Sequence, residues 1–294
     1  MSFPPSAAKS PPSCTAADPA RVQRPLCPIC GGSPAGPLPA PAPWALAWCD
    51  PCQFGFLTNP PDYAAMTGEF EWESSSATEN QRRRAELGTA GAKLAALLAG
   101  FRQAYRRLVK RDKLNRVIRD SALTGDLIDL GCGTGNLWDS FPADCAPVGI
   151  ELSPVSARKC RARLATRSGR FIEADALNGL RQLPDASAQG AIAISFLEHD
   201  VRPVETLREL HRVLRDGGAF VIKVPNYACW NRTVRGLRWC GFRFPDHVNY
   251  FTPRALREIC ARTGFRVARF GWFDQAPTSD NMWCVARKVP TPAA

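Results

Sequence analysis

The sequence is poor in histidine and contains no long apolar run. Only three of its 294 residues are histidine, so few side chains are available to act as a base near neutral pH. No uninterrupted apolar segment approaches the roughly 20 residues that a membrane-spanning helix needs. The first 24 residues, rich in Pro, Ala and Ser, lack the compact apolar stretch of a signal peptide. We therefore expect a disordered tail over residues 1–25, no membrane partner and a cytoplasmic location.

Cysteine, by contrast, is abundant, and four of the twelve cysteines form two Cys-x-x-Cys pairs. These pairs are Cys27 with Cys30 and Cys49 with Cys52. Such spacing turns two thiolates from each pair toward one tetrahedral zinc ion. Disulfide pairing is the alternative, which the missing export signal disfavours. We predict a zinc ribbon over residues 26–60, with a structural zinc, because four thiolates fill the coordination shell.

A short apolar strand, residues 127–130, runs directly into three glycines at alternate positions: Gly131, Gly133 and Gly135. Because glycine lacks a Cβ and adopts positive φ at little cost, such a turn lets the backbone press against a ligand. Dinucleotide-binding folds space these glycines as Gly-x-Gly-x-x-Gly, whereas Asn136 occupies the last of those positions here. The motif therefore predicts a bound cofactor and disfavours a nicotinamide or a flavin.

Two further apolar strands lead to acidic residues. Residues 147–151 end at Glu151, about 20 residues after the glycines, where such folds hold ribose hydroxyls. Asp175 follows the short strand over residues 170–173. This ordered series of strand ends predicts a nucleoside pocket at one edge of a parallel sheet.

In chain order, these motifs resemble those of class I S-adenosylmethionine-dependent methyltransferases. The similarity runs through residues 129–135, 149–153, 173–176, 195–199, 210–218 and 224–226 and covers roughly the second half of the chain. It implies an α/β fold with a Rossmann-like, doubly wound seven-stranded sheet over residues 125–290, completed by an antiparallel pair near 266–273 and 281–288. The alternation of patterns predicts the other strands near 126–130, 147–151, 170–173, 190–196 and 218–224, with helices near 135–141, 153–168 and 203–215.

The resemblance also implies a role for each residue of the cofactor pocket. The three glycines would lie under the methionine and ribose parts of S-adenosylmethionine, with Asp129 near its amino group. Glu151 would hold the ribose hydroxyls, and Asp175 would meet the adenine amino group. S-adenosylmethionine is thus the expected cofactor, alongside the structural zinc.

The acceptor side would lie just past the fourth strand, where Leu197, Glu198 and His199 border the meeting point of cofactor and acceptor. A hydroxyl acceptor must lose a proton, and His199 or His247 is the candidate base, with Glu198 beside the former. Each histidine could instead fix a loop through a hydrogen bond. Relatives that methylate ribose or quinol hydroxyls carry Glu-x-x-Glu-His here and bind a divalent metal. This chain has Ser195 in place of the first Glu, so we do not expect a catalytic metal, although Glu198 and His199 could be ligands.

Residues 61–124 are predicted to form a helical segment, with apolar residues at mostly helical intervals between about 79 and 120. Its other face carries twelve Arg and Lys residues, and much of the net charge of +11 lies there. That face could be merely solvated, could attract an anionic small substrate or could follow a nucleic-acid backbone. The lack of interleaved aromatic residues disfavours the last interpretation.

Residues 226–251 form an insertion rich in aromatic residues and arginine, which precedes a helix starting at Thr252-Pro253. Because ligands bind beyond the carboxyl ends of the strands in open α/β sheets, the insertion could be a lid over the acceptor. An aromatic core that packs the ribbon against the domain is the alternative, and the two can coexist.

The leading hypothesis is an S-adenosylmethionine-dependent methyltransferase that acts on oxygen of a small sugar-type or secondary-metabolite acceptor. It follows from the ribbon, which resembles those preceding methyltransferases of sugar, polysaccharide and secondary-metabolite pathways. The acceptor could be anionic. One alternative is an RNA methyltransferase whose ribbon and basic helix hold the strand, and another is a scaffold that binds the cofactor without turnover. The oligomeric state stays open.

Overall fold

The computed structural model describes residues 21–62, 111–121, 123–165 and 167–290. Most of the predicted tail and of the predicted helical basic segment therefore lies outside the described residues. Of that segment the structure describes helix α1 (Arg111–Asp120). The described chain forms two sheets, one of four strands and one of seven. None of the helices within these ranges combines the length and apolar character that crossing a bilayer requires.

The cysteine-rich segment, residues 26–60, forms three short antiparallel strands: β1 (Gly36–Leu38), β2 (Leu46–Cys49) and β3 (Phe54–Leu57). Every residue of β3 is buried. Backbone hydrogen bonds join Val22 to Pro60 and Arg24 to Thr58. The chain just before residue 26 therefore packs alongside this segment.

The larger sheet has the predicted doubly wound arrangement, in the strand order β10-β11-β8-β7-β4-β5-β6. The strands from β4 to β8 are parallel, and β11 is antiparallel to both of its neighbours. The central strands are apolar and mostly buried, as expected where helices cover both faces. The structure confirms the predicted α/β class with a mostly parallel, seven-stranded sheet. The strands are β4 (Gly125–Leu130), β5 (Cys145–Glu151), β6 (Arg170–Glu173), β7 (Ala188–Ile194), β8 (Leu214–Pro225), β10 (Phe265–Arg269) and β11 (Asn281–Lys288), while β9 (Asn249–Phe251) belongs to the smaller sheet.

Three of the helices begin where the sequence supplies a capping side chain. Ser153, Asp175 and Thr252 each accept a hydrogen bond from a backbone N–H of the first turn, which satisfies a donor that has no partner within the helix. The helix predicted near residues 203–215 ends at Val213, and β8 begins at the next residue. The helices after α1 are α2 (Pro154–Leu164), α3 (Ala176–Arg181), α4 (Pro203–Val213), α5 (Trp230–Arg235) and α6 (Pro253–Arg262).

The helix predicted over residues 135–141 is absent, and this prediction was wrong. The chain forms only a 3-10 turn, Trp138–Ser140. Trp138 is buried, and its ring lies so close to Gly149 that a Cβ there would be 2.6 Å away. Its indole N–H donates to Asp129. Anchoring this large ring beneath the glycine turn favours a tight turn over a regular helix.

The aromatic insertion supplies β9, which pairs with β3 through Phe54↔Phe251 and Phe56↔Asn249. The insertion thereby completes the smaller sheet and packs the cysteine-rich segment against the domain, while a role as a lid stays a prediction. The apolar cluster at this junction contains Leu46, Leu57, Val201, Tyr227, Cys229, Trp239, Phe242, Val248 and Tyr250.

Candidate active site

The glycine turn leaves β4 at its carboxyl end, the edge at which open α/β sheets bind ligands. Gly131, Gly133 and Gly135 have φ values of +63°, +55° and +71°, a region that other residues adopt at a steric cost. A Cβ on Gly131 would lie 2.6 Å from the Phe196 ring, whereas one on Gly133 would have no neighbouring atom within 4 Å. The backbone at Gly133 is therefore open to a ligand.

Glu151, at the end of β5, faces the glycine turn. Its Oε2 accepts a hydrogen bond from the backbone N–H of Gly133 at 2.8 Å, and its Oε1 accepts one from that of Ser153, also at 2.8 Å. Each carboxylate oxygen can accept from a further donor. The structure thus places Glu151, which is expected to hold the ribose, in contact with the glycine turn that is expected to lie beneath the ribose.

Asp129, the last residue but one of β4, is buried, with 1% of its surface exposed. Its Oδ2 accepts a hydrogen bond from Trp138 Nε1–H at 2.9 Å. Burial raises the pKa of Asp129 to about 7, even though the Trp138 hydrogen bond opposes the rise, and the charge of Glu151 adds to it. A cationic group bound beside this carboxylate would stabilise its ionised form.

Asp175 stands at the same edge of the sheet, just beyond β6, whose last residue Glu173 pairs with Glu151. It caps helix α3, since its Oδ1 accepts from the backbone N–H of Asn178 at 3.1 Å. Arg202, on the loop after β7, lies 3.7 Å from the same oxygen. The residue expected near adenine therefore also has a structural task.

Glu198, His199 and His247 form a cluster just past the carboxyl end of β7, which we call the acceptor-side cluster. One ligating atom from each residue lies within 4.8 Å of those of the others. The two imidazole rings are 4.7 Å apart and meet edge to face. The backbone N–H groups of Val248 and Asn249 donate to the Glu198 carbonyl at 2.8 and 3.0 Å. Strand β9 thereby brings His247 beside residues that are distant from it in the sequence.

Backbone carbonyls orient both histidines of this cluster. His199 Nδ1 lies 2.9 Å from the Asp246 carbonyl oxygen, and His247 Nδ1 lies 2.7 Å from that of Gly241. Because a carbonyl oxygen only accepts, each Nδ1 must carry the proton, and each neutral ring keeps its lone pair on Nε2. These Nε2 atoms can accept a proton or bind a metal ion.

Glu198 is buried, and its Oε2 has no hydrogen-bond partner among the residues that the structure describes. Burial raises the pKa of Glu198, while a protonated His199 and the positive charges of Lys223 and Arg243 would act against the rise. Lys223 Nζ donates to Ser195 Oγ at 2.7 Å. A lysine ammonium is thus bound to the residue that stands where metal-binding relatives carry their first glutamate.

The four cysteines of the two Cys-x-x-Cys pairs also come together. Their Sγ atoms lie within 4.8 Å of one another, and those of Cys30 and Cys49 are 3.6 Å apart. The backbone N–H of Gly32 points to Cys30 Sγ at 3.4 Å. Four thiols in this arrangement, three of them on buried residues, suit a tetrahedral zinc ion.

Asn249 connects these parts, and the sequence analysis missed it. Its Nδ2 donates to the carbonyls of Leu197 at 2.7 Å and Asp200 at 2.6 Å, and its Oδ1 accepts from Arg24 Nη2 at 2.8 Å. This one side chain therefore fixes the loop that carries Glu198 and joins it to the chain before the cysteine-rich segment. Its proximity to His247 in the sequence was the only available signal.

Comparison with known proteins identifies the family of this chain. The family model described as a methyltransferase domain matches residues 101–269, which is more than half of the chain, and the chain belongs to this family. A "Probable S-adenosylmethionine-dependent methyltransferase" of Mycolicibacterium smegmatis is 26% identical over 162 residues, 47% of this chain and 60% of that relative. The chain thus spans less than two thirds of the curated relative that it matches.

Solved structures agree on the fold. A structure described as a SAM dependent methyltransferase from Archaeoglobus fulgidus superposes with a TM-score of 0.50 at 18% identity, over 64% of this chain and 98% of that one. The family match, together with the curated relative, supports a methyltransferase domain that uses S-adenosylmethionine as the methyl donor, whereas the solved structures bear on the fold alone. The predicted enzyme class and methyl donor are confirmed.

Proposed function

We propose that this methyltransferase methylates an oxygen atom of a small sugar-type or secondary-metabolite acceptor, with the acceptor-side cluster as its base. The observation that carries the proposal is the tautomer of His199, whose Nδ1–H bonds to the Asp246 carbonyl and leaves the lone pair on Nε2 able to accept a proton. An amine acceptor could react through its own lone pair, whereas a hydroxyl benefits from proton removal as the methyl group arrives.

His199 is the better placed of the two histidines to receive that proton. It is partly exposed, whereas His247 is buried. The ionised form of Glu198 nearby would stabilise the imidazolium that forms. We assign the base to His199 and a supporting role to His247 and Glu198.

The cofactor residues keep the roles that the resemblance implies, as part of the same proposal. Bound S-adenosylmethionine would lie over Gly133, with its amino group toward Asp129 and its ribose toward Glu151. Asp175 would meet the adenine amino group, and Leu197 would border the transferred methyl group. The open backbone at Gly133 and the proximity of Glu151 to it support this placement. Methyl transfer is an in-line displacement, so this alignment with the acceptor supplies much of the rate.

A divalent cation is a second way in which the same cluster could serve the reaction. Two imidazole Nε2 atoms and the unpartnered Glu198 oxygen are a suitable donor set, and an ion there would polarise the acceptor oxygen. Against it, the Lys223 ammonium bonds to Ser195, where relatives supply a further carboxylate. Titration calorimetry with Mg²⁺ or Mn²⁺, repeated on Glu198→Gln, tests for the ion independently of turnover.

The cysteine-rich segment is proposed to bind structural zinc through Cys27, Cys30, Cys49 and Cys52. Four thiols within 4.8 Å of one another support this set. Elemental analysis should find one zinc per chain, and Cys49→Ser should lose it. A sample that folds fully without metal would contradict the proposal.

The test of the function is methyl transfer from labelled S-adenosylmethionine to a panel of hydroxylated sugars, sugar nucleotides and aromatic metabolites. Once an acceptor is found, His199→Gln should lower kcat by roughly 10²-fold or more without changing cofactor affinity. His211→Gln is the matched control, because this third histidine lies on α4 and bonds to the Val289 carbonyl outside the site. Equal rates for the two variants would remove the base from His199, and methylation of RNA instead would replace the acceptor class.

A further inference from the structure

Exposed apolar side chains are concentrated at one place on this molecule. Five of the seven large hydrophobic residues that are exposed in the described part of the chain lie in only two short segments. They are Trp230 (62% exposed), Val234 (81%), Leu237 (45%), Trp272 (68%) and Phe273 (87%). We call them, together with the exposed Arg235 and Arg238, the arginine–aromatic face. Single exposed apolar residues are ordinary, but such a concentration marks an interaction surface.

The topology places both segments at the edge of the sheet where the cofactor and the acceptor-side cluster lie. The first segment, α5 with the turn after it, follows the carboxyl end of β8. The second lies in the connection between β10 and β11, and the first residue of β11, Asn281, pairs with Pro225 at that same end of β8. A backbone hydrogen bond from Trp230 N–H to the Pro277 carbonyl, 2.8 Å long, joins them.

Polar anchors hold the face outward. Asp280 accepts hydrogen bonds from Asn231 Nδ2 at 2.9 Å and from Trp239 Nε1 at 2.8 Å. These contacts fix the start of α5 and bury Trp239 beneath it, so the helix cannot rotate to cover Trp230 and Val234 without breaking them. The exposure is therefore built into the fold.

The charge of the face selects its partner. Arg235 and Arg238 are exposed on it, whereas the carboxylate of Asp274, next to Phe273, is buried. An anionic surface is therefore the complement. Tryptophan and arginine are suited to the headgroup level of a bilayer, and aliphatic residues such as Val234 and Leu237 gain from contact with acyl chains. A nucleic acid would use the aromatic rings and arginines but would gain little from the aliphatic residues.

We propose that the arginine–aromatic face docks on an anionic lipid bilayer, which would set the acceptor site against the membrane surface. This replaces the expectation that no membrane takes part, because that expectation concerned spanning helices and not a surface contact. The proposal does not depend on the attacked atom or on the base, since it concerns a separate surface of the protein.

Sedimentation with sucrose-loaded vesicles tests it on the full chain. Binding should be strong to vesicles of phosphatidylcholine with phosphatidylglycerol, weak to phosphatidylcholine alone, and reduced by salt. The double change Arg235→Gln with Arg238→Gln should weaken binding by about 25-fold, at about fivefold per arginine. Trp272→Ser with Phe273→Ser should weaken it by at least about tenfold.

The matched control is Arg266→Gln with Val289→Ser, which removes one exposed arginine and one exposed apolar side chain. Both residues lie beside the Phe265–Lys288 pair, at the end of β11 opposite to Asn281. Vesicle binding should therefore not change. All variants should bind S-adenosylhomocysteine like the wild type, which confirms that they fold. No binding to anionic vesicles, or wild-type binding by both double variants of the face, would overturn the proposal. The proposal would also be overturned if the variants of the face lost affinity only for single-stranded RNA, because that result would identify a nucleic-acid surface instead.

Discussion

Replacing Trp138 with Phe should weaken cofactor binding in a pH-dependent way, although Trp138 need not touch the cofactor. The indole N–H donates to Asp129 at 2.9 Å and helps to keep the pKa of this buried carboxyl at about 7. Phenylalanine keeps most of the buried ring and loses the donor. A hydrogen bond to a charged group contributes about 1.5–3 kcal/mol, so its loss should raise the pKa by about one to two units, at about 1.4 kcal/mol per unit.

The direction of this pH dependence follows because only the ionised form of Asp129 attracts the cofactor's amino group. Above its pKa, Asp129 is a carboxylate, and below it the protonated group loses the attraction. At pH 7 about half of the wild-type molecules carry the charge, and a pKa of about 8 to 9 would leave about 1–10% of them charged. The dissociation constant should then rise by about 5- to 50-fold at pH 7 and return toward the wild-type value as the pH rises.

Titration calorimetry with S-adenosylhomocysteine from pH 6 to 9 measures this effect. The ratio of variant to wild-type affinity is the quantity to compare, since titration of the ligand's own amino group cancels in it. Asp129→Asn is the control, because it should bind weakly at every pH and lose the midpoint near pH 7. A constant ratio for Trp138→Phe across this range would show that Asp129 does not bind the cofactor through its charge.

Three further predictions concern other parts of the site. Gly133→Val should abolish cofactor binding while leaving zinc content unchanged, because valine at φ +55° is strained and its side chain would enter the open space above the turn. Calorimetry measures the cofactor affinity and elemental analysis measures the zinc. A variant that kept its cofactor affinity would contradict the assignment of the pocket. The Cys49→Ser variant should contain no zinc and should have a lower melting temperature but should keep its affinity for S-adenosylhomocysteine. A simultaneous loss of that affinity would mean that the cysteine-rich segment and the methyltransferase domain do not fold separately. Asn249→Leu should destabilise the protein by about 1–3 kcal/mol per carbonyl left without a donor and slow turnover more than it weakens cofactor binding; denaturant unfolding and kinetics measure the two effects, and an unchanged kcat would separate Asn249 from the acceptor side.

The sequence predicted the parts of the fold that depend on local patterns. The strand before Gly131, the strand that ends at Glu151 and the helix start at Thr252-Pro253 are each signalled within a few residues of sequence. The structure has each of them where it was predicted. The helix over residues 135–141 failed because burial of Trp138 beneath the turn overrides a helical pattern of one or two turns. A propensity that is weak over so short a segment cannot compete with one large buried ring.

The remaining features depend on contacts between distant residues, for which the sequence has no periodic signal. Strand β9 pairs with β3 across almost two hundred residues of chain, and this pairing places His247 beside His199. Asn249, on the same strand, holds the loop carrying Glu198 and also bonds to Arg24. The aromatic insertion therefore acts as a joint that fits the cysteine-rich segment and the acceptor-side cluster to each other. It follows that damage to the cysteine-rich segment should propagate through β9 to the acceptor side, and not to the glycine turn at the end of β4.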